Sequence, residues 1–185
     1  MVRRAVGLVF FQEMRAMFEI GDLVVYGGEG VCRVEYIGPA DLPGADKEKL
    51  YYRLAPLGRN GQVLTPVDTR VLLRTVISDV QARDLVARLP ALEPEELPAT
   101  NMRGIKEFYH DVVMSYDCER MAKLIKMVYR KRRWSIEHGK KVSQLDERYL
   151  KRAEDQFYGE MSVVLGMERR ELEQYIRGIY PQWPE

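Results

Sequence analysis

Between residues 120 and 152 the chain carries twelve basic side chains: Arg120, Lys123, Lys126, Arg130, Lys131, Arg132, Arg133, Lys140, Lys141, Arg148, Lys151 and Arg152. Glu137, Asp146 and Glu147 are the acids among them, giving a local net charge of +9 in a chain whose total is +1. Cationic side chains at helical spacing suit the phosphate oxygens of nucleic acid, which they bind by displacing counterions. Lys123, Lys126, Arg130 and Arg133 recur on one helical face, while Met121, Leu124, Ile125 and Val128 mark a buried stripe on another. Lys140 and Lys141 follow in a loop, and Arg148, Lys151 and Arg152 continue on the next helix. A solvated basic face is the plain alternative, but an excess this large with so few acids points to nucleic acid. A membrane-surface role is disfavoured because the apolar stripe is needed for the helical core. Trp134, near the end of the basic helix, reads as a packing residue at the domain edge rather than a platform for a base.

Catalytic chemistry has less to stand on. The glycine cluster Gly27-Gly28-Glu29-Gly30 is followed by neither Lys-Ser nor Lys-Thr, and the next segment reads as a strand. A phosphate-cradling loop feeds a helix whose amides face the anion, whereas glycines between two strands supply a hairpin turn. His110 and His138 fall on different elements, without cysteine, histidine or glutamate at metal spacing. A thiol–imidazole dyad of Cys118 with His110 or His138 has no supporting pattern. His110 and Asp111 are adjacent, so on a helix their side chains diverge. The acid pairs Asp146-Glu147 and Glu95-Glu96 read as helix-start charge and solvated linker. No enzyme activity, metal or cofactor is expected.

Two kinds of element must position these residues. Residues 22–26 and 31–37 are rich in Val, Tyr and Ile, 48–57 repeats the theme and 61–67 and 71–76 complete the set, with breaks at 27–30, 38–46 and 58–61, predicting five short strands. Cys32, Val34 and Tyr36 alternate with Arg33 and Glu35, and Tyr52 and Leu54 with Tyr51 and Arg53, as half-buried strands do. Pro56 and Pro66 belong at strand ends or edges, since proline cannot donate to a ladder. Ser78 with Gln81 forms a capping box for a helix ended by Pro90, and residues 89–98 read as a linker. Thr100 or Asn101 caps a helix to about residue 114, and Asp117 caps one from 118 to about 134. Gly139 marks a loop. Ser143 with Asp146 opens a helix to Leu165, stopped by Gly166. A last helix over about 168–180 carries Leu172, Tyr175, Ile176 and Ile179 on one face. The expected fold is α+β and multidomain: a small Tudor- or SH3-like β-barrel over 17–76, then an all-α helical domain over 77–185 that begins with one helix and a linker (77–100).

Hydrophobic residues make up 46% and charged residues 31%, a globular rather than disordered mixture. Two distant cysteines suggest no disulfide framework, so a reducing cytoplasm is expected. No apolar run reaches the roughly 18 residues a membrane span needs. Residues 1–16 read as a disordered or upstream-start extension without a targeting role, since Met14 and Met17 are also plausible starts, and a monomer is expected.

The segment FEIGDLVVYGGEGVCRVEYI, in which Phe18, Gly21, Asp22, Val24, Val25, Tyr26, Gly30 and Val31 form the pattern, resembles the opening signature of the CarD/CdnL family of bacterial transcription regulators. The similarity continues through YYRLAPL, TPVD and DERYLKRAEDQFYGEMSVVLG. It implies a barrel that binds the RNA polymerase β subunit, through an edge strand somewhere within residues 18–76. It further implies a helical domain that contacts promoter DNA at the upstream edge of the melted bubble and stabilises the open complex. The localisation implied is cytoplasmic, at the nucleoid through polymerase. Members of that family commonly carry Asn-Trp where this chain has Asn101-Met102, the tryptophan acting as a wedge at the fork; Met102, with Arg103 beside it, would take that place here. The runner-up is a non-catalytic protein- or RNA-binding adaptor built on a Tudor-like module.

Overall fold

Tyr52 anchors the start of the described chain. Its hydroxyl accepts the backbone N–H groups of Met17 (2.8 Å) and Phe18 (3.2 Å), and its buried ring lies 5.9 Å from that of Phe18. The computed structural model describes residues 17–41, 46, 48–97 and 101–184. The extension expected over 1–16, part of the break at 38–46 and Thr100 as an alternative cap lie outside these residues. The chain divides into two compact units, Met1–Val76 and Ile77–Glu185.

In the first unit, β1 (Leu23–Tyr26), β2 (Gly30–Gly38), β3 (Tyr51–Pro56), β4 (Val63–Pro66) and β5 (Leu73–Thr75) form one antiparallel sheet in the order β4-β3-β2-β1-β5. Alternation puts Val24, Cys32, Val34, Tyr52 and Leu54 on one face, where they bury together with Phe18. Side chains from both ends of the sheet, Val63 and Leu73 among them, pack on the same cluster, and the Tyr26 hydroxyl reaches Thr65 Oγ1 at 3.3 Å. The sheet therefore bends strongly around its core. The five strands of the expected small, strongly bent Tudor- or SH3-like barrel are present, followed by the helices, but the sheet is not closed: β4 and β5 are its two edges. Closure would need a ladder between β4 and β5, yet β5 has three residues and β4 ends at a proline without an N–H.

The alternation expected along β2 breaks part-way. The register shifts between Val34 and Tyr36, so Glu35 is the extra residue of a bulge and Tyr36 leaves the buried face. Tyr36 instead sits under the Arg53 guanidinium, 5.1 Å from the ring centroid, on the outer face.

The second unit contains α1 (Asp79–Arg88), a 3₁₀ turn (Leu89–Ala91), α2 (Met102–Ser115), α3 (Cys118–Glu137), α4 (Gln144–Leu165) and α5 (Arg169–Ile179). Their starts are local: the Ser78 and Gln81 side chains exchange bonds with each other's N–H (3.2 and 2.9 Å), Asn101 accepts from the Gly104 N–H (2.8 Å), Asp117 from Arg120 (2.9 Å) and Ser143 from Asp146 (3.3 Å). Each such cap is worth about 0.5–2 kcal/mol. Helix α4 packs against α1, α2, α3 and α5 and buries Tyr149, Leu150, Ala153, Phe157 and Met161. Leu172 and Ile176 of α5 are buried, whereas Ile179 at the end of the same expected stripe is exposed. The segment after α1 is no free spacer in its first half. Leu89 and Leu92 are buried, and Glu95 pairs with Arg120 at 3.2 Å.

Candidate nucleic-acid and protein interfaces

The apolar stripe of α3 is buried as its spacing requires: Met121, Leu124, Ile125 and Val128 are all at most 1% exposed. Lys126 shares that burial, which removes it from the expected basic face. Its ammonium donates to the backbone carbonyls of Leu92 (2.6 Å) and Leu89 (2.9 Å), approaches that of Pro90 (3.5 Å), and lies 5.0 Å from the Tyr180 ring. The carbonyls left over where α1 ends in a 3₁₀ turn need donors, and a lysine on the facing helix supplies them. Burial, with Arg130 nearby, lowers the Lys126 pKa from its ordinary value.

Lys131 is likewise occupied. Its ammonium is 2.8 Å from Asp146 Oδ2, whose other oxygen accepts from the Tyr109 hydroxyl at 3.0 Å. Burial pushes the Tyr109 pKa up, and the Asp146 carboxylate adds to the rise. Asp146 thus does more than supply charge at a helix start: it ties α2, α3 and the first turn of α4 together.

Several other cations of the window meet carboxylates, some from outside it. Arg120 pairs with Glu95, Lys123 with Glu119 (2.9 Å), Arg132 with Glu147 (3.5 Å), Arg133 with Glu137 (3.1 Å) and Lys151 with Asp155 (3.1 Å). Among the described residues, Arg130, Lys140, Lys141, Arg148 and Arg152 have no carboxylate within ion-pairing distance, and all five are exposed. They follow one another along α3, the next loop and the first half of α4. Arg148 and Arg152 lie over the Tyr149 ring, at 5.3 and 5.9 Å, which orders their stems while leaving the charge in water. The chemistry available is phosphate binding by five cations rather than by twelve.

Trp134 is corrected from a packing residue to a surface one. It is 47% exposed, its ring stacks on His138 with centroids 4.4 Å apart, and the Lys140 ammonium is 4.2 Å from it. His138 Nδ1, 2.8 Å from the Trp134 carbonyl, donates to it and holds the imidazole in place. Met102, the first residue of α2, is 64% exposed. Arg103 beside it pairs with Glu107 at 2.9 Å.

The cysteines and histidines do not assemble. Cys118 is buried with its thiol 3.3 Å from Glu160 Oε2, whose partner oxygen accepts the Ile77 N–H at 2.9 Å, while His110 is exposed on α2. Burial pushes the Cys32 thiol pKa up to about 11, and the Glu29 carboxylate adds to it. Among the described residues no group of three or more His, Cys, Asp or Glu is placed to hold a metal, and no helix is long and apolar enough to cross a membrane.

The signature residues of the first unit are structural in their local roles. Gly21 adopts φ 99°, closing a turn in which the Asp22 carboxylate accepts the Glu19 N–H at 2.7 Å. Gly27-Gly28-Glu29 joins β1 to β2, with Gly28 at φ 94°, so the glycine cluster is a hairpin connection. What the unit offers outward is its two edges. Val67 N–H bonds to Leu50 C=O (3.0 Å), and alternation then turns the Leu64 N–H outward, in phase with Pro66. By the same rule, the bonds Gly27 N–H to Leu72 C=O and Val76 N–H to Leu23 C=O turn the Leu73 and Thr75 groups outward on β5. The Thr75 carbonyl already accepts from the Arg74 guanidinium at 2.8 Å.

Residues 18–77 match the family model described as the CarD-like/TRCF RID domain, which covers β1 to β5. The match is consistent with the resemblance to CarD-like proteins and indicates a transcription-related function involving interaction with RNA polymerase. No curated protein matches the chain.

Proposed function

We propose, on the premise that residues 18–77 form a CarD-like/TRCF RID domain, that the protein is a non-enzymatic regulator of transcription. The sheet unit docks on the β subunit of RNA polymerase through one of its open edges, β4 or β5, by strand addition. The helical unit holds DNA at the upstream edge of the melted bubble through Arg130, Lys140, Lys141, Arg148 and Arg152, with Met102 at the fork. Methionine belongs to the apolar side chains that wedge between base steps, and its exposure at the start of α2 leaves it able to do so. Binding the open promoter complex better than the closed one shifts the equilibrium between them; a preference of ~1.4 kcal/mol changes their ratio about tenfold. No cofactor or metal takes part, and the protein acts as a cytoplasmic monomer that reaches the nucleoid through polymerase.

The single observation that carries this reading is the presence of five exposed, carboxylate-free cations in the unit that follows an RNA polymerase-associated domain. The test is capture of the full chain on isolated β subunit, together with open-complex lifetime on a promoter template. The wild type is expected to be captured and to lengthen the lifetime. The double variant Lys140→Glu/Lys141→Glu is expected to be captured equally and to lose at least half of the lifetime gain. A full chain that the β subunit does not retain overturns the reading.

A further inference from the structure

At the C-terminal end of α3 an open groove of about 620 Å³ is lined by Tyr129, Arg132, Arg133, Ile136 and Glu137. Ile136 within that lining is 61% exposed, and Trp134, on the same last turns of α3 but outside the lining, is exposed as well. The geometry points to a binding site for unpaired nucleic acid at this end of α3, in which Trp134 stacks on a base while Lys140 and Lys141 hold the adjoining phosphates. This rests on the reading of the helical unit as a nucleic-acid-binding surface, and it adds a preference for single strands that phosphate contacts alone do not give.

Three features favour this occupant. The surface is cationic, with Lys140 and Lys141 lacking carboxylate partners among the described residues, so a polyanion complements it. The indole is exposed at that same place, and a duplex buries the faces of its bases in its own stack, whereas a single strand presents them. The indole is also held ready. The imidazole of His138 stacks on it at 4.4 Å and is itself fixed by its bond to the Trp134 carbonyl, so little ordering is left to accompany binding. The Lys140 ammonium, 4.2 Å from the ring, is the movable part. An exposed cation–π contact is weak, and an incoming nucleotide replaces it with a phosphate contact to the same lysine.

The molecule reports on its own site. Of its two tryptophans, Trp183 is 1% exposed and its indole N–H donates to the Tyr158 hydroxyl at 2.9 Å, so quenching by a ligand in solution reports Trp134. The experiment titrates the full chain with a 20-nucleotide oligo(dT), a duplex of equal length and polyglutamate, following intrinsic fluorescence and the anisotropy of labelled DNA. Oligo(dT) is expected to quench the wild type. In Trp134→Ala its affinity falls about tenfold, in Trp134→Phe by less, and duplex affinity stays within about twofold. Equal oligo(dT) affinity in wild type and Trp134→Ala overturns the site, as does an equal loss for both forms of DNA. Displacement of oligo(dT) by polyglutamate at equal charge concentration also overturns it, since the site would then read charge alone. Because Trp134 is exposed, neither variant removes a core contact. A wild type that binds oligo(dT) with quenching but ignores duplex upholds this site and removes the duplex contacts of the proposed function; one that binds neither overturns both.

Discussion

Lys126 illustrates how a charge in the sequence can be spent inside the fold. Its ammonium bonds to the carbonyls of Leu89 and Leu92 at the end of α1, and desolvation of the charge is offset by those acceptors. Substituting Lys126→Met keeps the stem's volume but takes the ammonium from the Leu92 carbonyl and leaves the Leu89 carbonyl only the Leu92 N–H at 3.3 Å, a loss of about 1–3 kcal/mol. The expected outcome is a thermal midpoint lower by several degrees with DNA affinity unchanged at a temperature where both proteins are folded. A large loss of affinity in that comparison would return Lys126 to the proposed DNA-binding surface. Sequence spacing cannot separate the two roles. Lys126 and Arg130 are four residues apart and share a face by period alone, and only the course of the chain at Leu89–Ala91 decides that one of them is covered. Trp134 escapes for the same reason: an aromatic residue beside an apolar stripe reads as core until its neighbours are known.

Elements whose cause is local are legible in the sequence. Ser78 with Gln81, Asn101, Asp117, Ser143 and Gly166 bound the helices because caps need side chains only a few residues away. The Gly21-Asp22 turn belongs with them. The bulge at Glu35 and the failure of the sheet to close are not legible, because both depend on pairing between distant strands. The edges carry a prediction of their own. At Leu64 on β4 and at Leu73 on β5 the N–H faces away from the sheet, so proline there removes an outward donor without deleting a ladder bond. Docking by strand addition predicts that one of Leu64→Pro and Leu73→Pro weakens capture on the β subunit at least tenfold while the other leaves it nearly intact. Circular dichroism verifies that both sheets form. Wild-type capture by both folded variants would rule out edge pairing as the mode of docking.

At the scale of the whole molecule, net charge conceals more than it reports. Residues 77–185 contain nineteen basic and nineteen acidic side chains, so the unit holding the +9 window is neutral, and its remaining segments carry the compensating acids. Some of those acids fold back onto the window, as Glu95, Glu119 and Asp155 do, and leave five cations uncompensated. Counterion release then sets a quantitative expectation. Each phosphate neutralised contributes about 0.9 to the slope of log K against log salt, so duplex binding should show a slope of about −4 to −5, not the roughly −11 that twelve engaged cations would give. Lys140→Gln/Lys141→Gln should reduce the magnitude by about 2. The measurement is anisotropy of a labelled duplex over a salt series, with the full chain. A slope near −11 would mean that the ion pairs open on binding, and a slope near zero would remove the basic surface from the mechanism. Five such contacts would give weak, salt-sensitive binding. A sheet unit anchored on polymerase would raise the local concentration of DNA around the helical unit, so the same cations should hold promoter DNA far more tightly in the presence of polymerase than alone.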